Sequence, residues 1–146
     1  MVDHYTAPPL ELPESDGIDR ADLIFVGLDH SGASFEARLF FDAPDVDHGA
    51  GRDHPAYAGS FFLFGHGGCF GDEGHCDVPT ERDPFDLRPP HPLEPAIRVV
   101  TVTDAIRAKA VEGARTVTVS VVAHAVGDNP NDVLAFEKVR LAIYAG

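Results

Sequence analysis

The chain has 146 residues, of which 44% are apolar, enough for one domain with a hydrophobic core of its own. Its 24 acidic and 11 basic residues give a formal net charge of −13, which disfavours nucleic acid and anionic membrane surfaces as partners. No apolar run approaches the ~20 residues that span a bilayer, and the Met-Val-Asp-His-Tyr start lacks the basic and apolar regions of a secretory leader, so a cytoplasmic location is expected.

Residues 1–20 read as an extended acidic arm, because Pro8, Pro9 and Pro13 oppose a helix and little in the segment is apolar. Regular structure is expected from Ala21, in a second unit covering residues 21–146. The run Leu23-Ile24-Phe25-Val26 has the length of a buried strand. In residues 34–41, Phe35, Ala37, Leu39 and Phe41 alternate with Glu36 and Arg38, the period of a strand with one face in a core. Residues 42–56 are loop-like and acidic. Asp42, Asp45 and Asp47 share the chemistry of a calcium loop, but the glycine and distal Glu of that motif are missing, and a solvated loop is the expectation.

Residues 57–64 form a third strand, and the run Phe61-Phe62-Leu63-Phe64 suggests burial on both faces. Residues 65–94 hold most of the Gly and Pro and show no clear period, the pattern of a long functional loop. Strand character returns at residues 96–102. Thr103 or Asp104 is placed to cap a short helix ending at Val111. A closing hairpin is then expected, with Val117, Val119 and Val121 alternating in one strand, Val139, Leu141 and Ile143 in the other, and turn residues 127–132 between them. Together these elements predict a mostly-β fold: an antiparallel β-sandwich or partly open barrel with one short helix.

The segment 65–76 carries the most distinctive chemistry. Imidazole and thiolate are good ligands for zinc or copper(I), and the flanking glycines let a short loop turn tightly. His66, Cys69, His75 and Cys76 are the candidate ligands, with copper or zinc as the candidate ion. Two other readings stay open: a Cys69–Cys76 disulfide loop, and a reduced loop whose glycines serve only to turn the chain. The remaining histidines (His4, His30, His48, His54, His91 and His124) carry no ligand spacing. His124 is expected at the surface or in an ordinary hydrogen bond. No nucleophile elbow, phosphate loop or dinucleotide fingerprint is present, so the sequence holds no complete catalytic centre.

Several pieces in order resemble the C-terminal β-domain of plant-type polyphenol oxidases, of the tyrosinase family. These are Phe35-Glu36-Ala37-Arg38-Leu39-Phe40-Phe41, then Tyr57-Ala58-Gly59-Ser60-Phe61, a loop beginning near Gly65-His66, the short helix and the closing strands. The resemblance spans roughly residues 22–144. It implies a β-domain that is not the catalyst but shields the copper site of an adjacent dicopper domain, which is absent from this sequence. The implied role is that of an accessory or binding protein whose partner is a separate tyrosinase-like copper oxidase, with Tyr57 and Phe70 as candidate partner contacts. The alternatives are a self-associating structural module and a small zinc- or copper-binding protein built on the 66–76 loop. The Cys-containing loop departs from the plant pattern.

Overall fold

The computed structural model describes residues 4–13, 17–66, 84–85, 87, 94–126 and 133–145. Its strands are β1 (His4–Thr6), β2 (Leu10–Glu11), β3 (Ile18–Leu28), β4 (Phe35–Phe41), β5 (Tyr57–Leu63), β6 (Ala96–Thr101), β7 (Thr116–Val117), β8 (Val119–Ala125) and β9 (Lys138–Ala145); the helix α1 (Thr103–Val111) follows β6. They form a four-stranded sheet in the order β1-β8-β4-β5, a three-stranded sheet in the order β6-β3-β9, and the short pair β2-β7. All of the pairings are antiparallel. This is the sandwich that the alternating segments predict, and among the described residues the sheets do not close into a barrel.

The core lies between the two larger sheets. Ala21, Leu23 and Phe25 of β3 meet Phe35, Ala37 and Leu39 of β4, together with Phe61, Leu63, Val119 and Val121. Aromatic rings bridge the layers: Phe25 lies 5.0 Å from Phe61 and 5.4 Å from Phe136, whose ring in turn meets Tyr5 at 4.8 Å. Each fully buried side chain of this size contributes on the order of 1.5–3 kcal/mol of transfer free energy.

The structure corrects the sequence reading at four places. Residues 116–122 and 133–144 do not pair as a hairpin: β8 lies beside β1 and β4, and β9 lies beside β3 in the other sheet. The connection between them therefore crosses the sandwich; its turn residues 127–132 lie outside the described residues. The strand is also interrupted at Thr118. There Asp42, at a φ of 52°, donates its amide to the Thr118 carbonyl and accepts the Thr118 amide on Oδ1, both at 2.8 Å. Its Oδ2 pairs with Lys109 Nζ at 2.9 Å, so this Asp of the acidic loop joins β4, α1 and β8.

The second correction concerns β5. It buries one face only: Phe61 and Leu63 point into the core, whereas Phe62 is 62% and Phe64 76% exposed. The third concerns residues before Ala21. His4–Thr6 pairs with β8 and Leu10–Glu11 with β7, Ala7 and Leu12 are buried, and β3 begins at Ile18. The prolines prevent a helix there, but an extended chain with alternate apolar residues is also what a sheet edge accepts. The fourth concerns the helix start. Thr103 is the first helical residue and its hydroxyl accepts the Ala21 amide at 3.1 Å; Val102 sits at the N-cap without a side-chain cap. Gly113, at a φ of 81°, ends the helix in the left-handed conformation that glycine tolerates.

Residues 42–56 lie over the outer face of the four-stranded sheet. Val46 packs with Phe40 and Val122, surrounded by Ala43, Ala50, Ala56 and Tyr57. One outer face of the sandwich is thus covered by the chain's own loop.

Candidate functional site

The root of the Gly-, His- and Cys-rich segment is built by two backbone segments that cross. After β3, Asp29 accepts the Ser31 amide on Oδ1 at 2.8 Å, an Asx turn that reverses the chain towards β4. After β5, Gly65 passes directly over Gly32 and Ala33. A Cβ at Gly65 would overlap the Gly32 carbonyl oxygen and the Ala33 backbone, so this crossing requires glycine. The Gly65 amide donates to Ser34 Oγ at 2.9 Å, and the His66 amide to the His30 carbonyl at 2.8 Å. These contacts bring His66 against His30.

The two imidazoles are hydrogen-bonded, Nδ1 to Nδ1, at 3.1 Å, with ring centroids 4.8 Å apart. His30 Nε2 lies 2.6 Å from the Glu94 carbonyl oxygen. A carbonyl only accepts, so His30 carries its proton on Nε2. With both rings neutral, His30 Nδ1 is then the acceptor and His66 Nδ1 the donor, which assigns the lone pair of His66 to Nε2. Phe64 stands beside this pair, its ring 5.8 Å from that of His66. A histidine whose Nδ1–H is fixed by a neighbour, leaving Nε2 unprotonated, is in the tautomer that metal-ligating histidines use.

Of the residues singled out from the sequence, His66 and Tyr57 lie among those described. Cys69, Phe70, His75 and Cys76 lie outside them. Tyr57 stands at the other end of β5 from His66, half-buried, with its ring 5.9 Å from that of Phe40 beneath residues 42–56. Among the described residues no group of three or more His, Cys, Asp or Glu side chains is placed to hold a metal ion. His30 is the residue that sequence reasoning missed. It is 36 positions from His66, and only the crossing at Gly65 brings the two together.

His124 also departs from expectation. It lies opposite Glu36 in the register of β8 and β4, its ring 5.2 Å from that of His48, and its Nε2 is buried without a hydrogen-bond partner. Burial, reinforced by the nearby Arg38 and His48, holds its imidazole below the ordinary histidine value, against an opposing pull from Glu36.

Solved structures with a fold similar to that of this chain include two polyphenol oxidases. Recombinantly expressed latent aurone synthase superposes over 98% of this chain with a TM-score of 0.55 and 14% identity. Latent aurone synthase from its natural source superposes over 97% with a TM-score of 0.53 and 13% identity. The chain has the fold of one part of a polyphenol oxidase. It spans 24% of the length of either of those chains, and at this identity the likeness is one of fold. No family model and no curated protein matches the sequence.

Proposed function

We propose that this protein is a non-catalytic accessory domain of polyphenol oxidase type that binds and shields a separate dicopper oxidase. The observation that carries the reading is the likeness of nearly the whole chain to one quarter of an oxidase described as latent. The ordered motifs Phe35–Phe41 and 57–61 agree with it, since they lie on β4 and β5, adjacent strands of one sheet. The sequence resemblance implies that the corresponding part of the oxidase is its C-terminal domain. Recovery of the tagged chain from its native cells tests this reading. A copper-containing oxidase should accompany it in fixed stoichiometry; recovery of the chain with no copper protein attached overturns the proposal.

A second reading is favoured by the His30–His66 pair: a zinc or copper(I) site in which His66 Nε2 is one ligand, completed from Cys69, His75 and Cys76. His30 would then be the positioning residue that fixes the His66 tautomer. Native mass spectrometry of the reduced chain with added zinc or copper(I) should show one bound ion. His66→Gln, or Cys69→Ser with Cys76→Ser, should abolish it, and acid should release it as the ligands take up protons. A reduced chain that takes up neither ion excludes this site.

A further inference from the structure

Residues 42–56 are held on the four-stranded sheet by an apolar patch and by three polar contacts around His124. The patch is Val46 on Phe40 and Val122, with Tyr57 beside them. The polar contacts are Arg52 Nη2 to Glu36 Oε1 at 3.0 Å, Arg38 Nη1 to the Ala50 carbonyl at 3.2 Å, and His48 Nε2 to the Ala123 carbonyl at 3.1 Å. Three buried nitrogens on this same sheet face lack hydrogen-bond partners: His124 Nε2, Arg38 Nε and His4 Nε2.

The groups around His124 oppose a second positive charge. From β4 come Glu36 and Arg38; from residues 42–56 come His48 and Arg52; from β1 comes His4 on the same face; β5 offers only the uncharged Ser60 and Phe62. Glu36 is already committed, with Oε2 on Arg38 and Oε1 on Arg52. The carboxylates of Asp45, Asp47 and Asp53 belong to exposed residues, and Asp47 Oδ1 accepts the Gly49 amide. His54 faces Phe40 and its Nδ1 accepts the Ala56 amide. An imidazolium at His124 would have an Nε2–H with no acceptor, in a site that already holds Arg38. His48 Nε2 meets the Ala123 carbonyl, and its ring stands against that of His124.

We propose that residues 42–56 are an acid-released strap: proton uptake by His124 lifts the strap from the sheet and uncovers the apolar patch of Phe40, Val122 and Tyr57. This inference is independent of the partner proposed above, because it concerns contacts within the chain. The sign follows from linkage. A histidine whose folded value lies below its ordinary 6.5 favours the closed form above that pH, and the advantage is lost as pH falls towards the folded value. One linked proton changes the opening equilibrium by at most about tenfold per pH unit.

Amide exchange of the full chain, followed by NMR between about pH 7.5 and about pH 5.5 and corrected for intrinsic rates, tests the strap directly. The amides of Val46, Ala50 and His54, each bonded within the strap, report its opening; the Val102 amide, bonded to the Ala21 carbonyl, serves as the core reference. Strap protection should fall by up to about tenfold per pH unit while the reference holds. His124→Phe, which cannot titrate, should flatten the profile. His124→Gln, which likewise cannot titrate, should flatten it too and serves if the first variant does not fold. Strap protection that does not change with pH, or a slope unaltered in the variants, overturns the proposal.

Discussion

Gly59 shows how a single position in the 57–61 motif is fixed by packing. A Cβ there would lie 2.9 Å from Val100 Cγ1 and 3.8 Å from Val102 Cγ1, so the methyl groups of β6 and of the helix N-cap occupy the space that a side chain would need. Gly59→Ala is expected to cost about 1–3 kcal/mol, the range for overpacking a filled core, read as a lower midpoint in urea with an unchanged slope. An unaltered midpoint would show that β5 and β6 can separate freely. Glu36 is a charge-based counterpart. The Arg38 hydrogen bond, with Arg52 beside it, holds the Glu36 carboxyl below its ordinary 4.5 in spite of burial. Its contribution to stability is therefore present above pH 4.5 and is lost as pH falls through the lower folded value. Glu36→Gln should reduce stability at neutral pH by about 1–2 kcal/mol and remove that acid limb from the stability profile. Retention of the limb in the variant would assign it to another carboxylate.

At the scale of elements, strand identity was legible in the sequence and strand pairing was not. The alternation of Phe35, Ala37, Leu39 and Phe41 reports which side chains face a core, and β4 buries those four residues. The same kind of pattern in Val119 and Val121, and in Val139 and Leu141, cannot say that the two strands lie in different sheets, because period-two burial is common to both arrangements. Exposure of Phe62 and Phe64 was hidden for a related reason: an unbroken aromatic run has no visible period. The His30–His66 pair was illegible because it depends on a chain crossing at Gly65 and not on local spacing. The N-terminal strands give a test at this scale. Deleting residues 1–12 would strip β1 from β8 and β2 from β7 and remove the buried Ala7 and Leu12, so a loss of about 2–4 kcal/mol is expected. A truncated chain with the stability of the intact one would show that these strands contribute nothing to the sandwich.

For the whole molecule, the sandwich has two unlike outer faces. One is covered by residues 42–56 and pinned through Glu36, Arg38 and His48. On the other, Ile97 and Val99 are 57% and 53% exposed next to Ile24 and Arg140, in an otherwise acidic chain. The chain has the fold of one quarter of an oxidase described as latent. The function proposed for it is that of modulating an oxidase without acting as one. The most direct measurement is catechol oxidation by the copper protein recovered with the chain, before and after the chain is dissociated from it. The account predicts that turnover rises when the chain is removed, falls when it is added back, and is absent in the isolated chain supplied with copper. Turnover that is unchanged by removal and return of the chain, or that resides in the isolated chain itself, would contradict it.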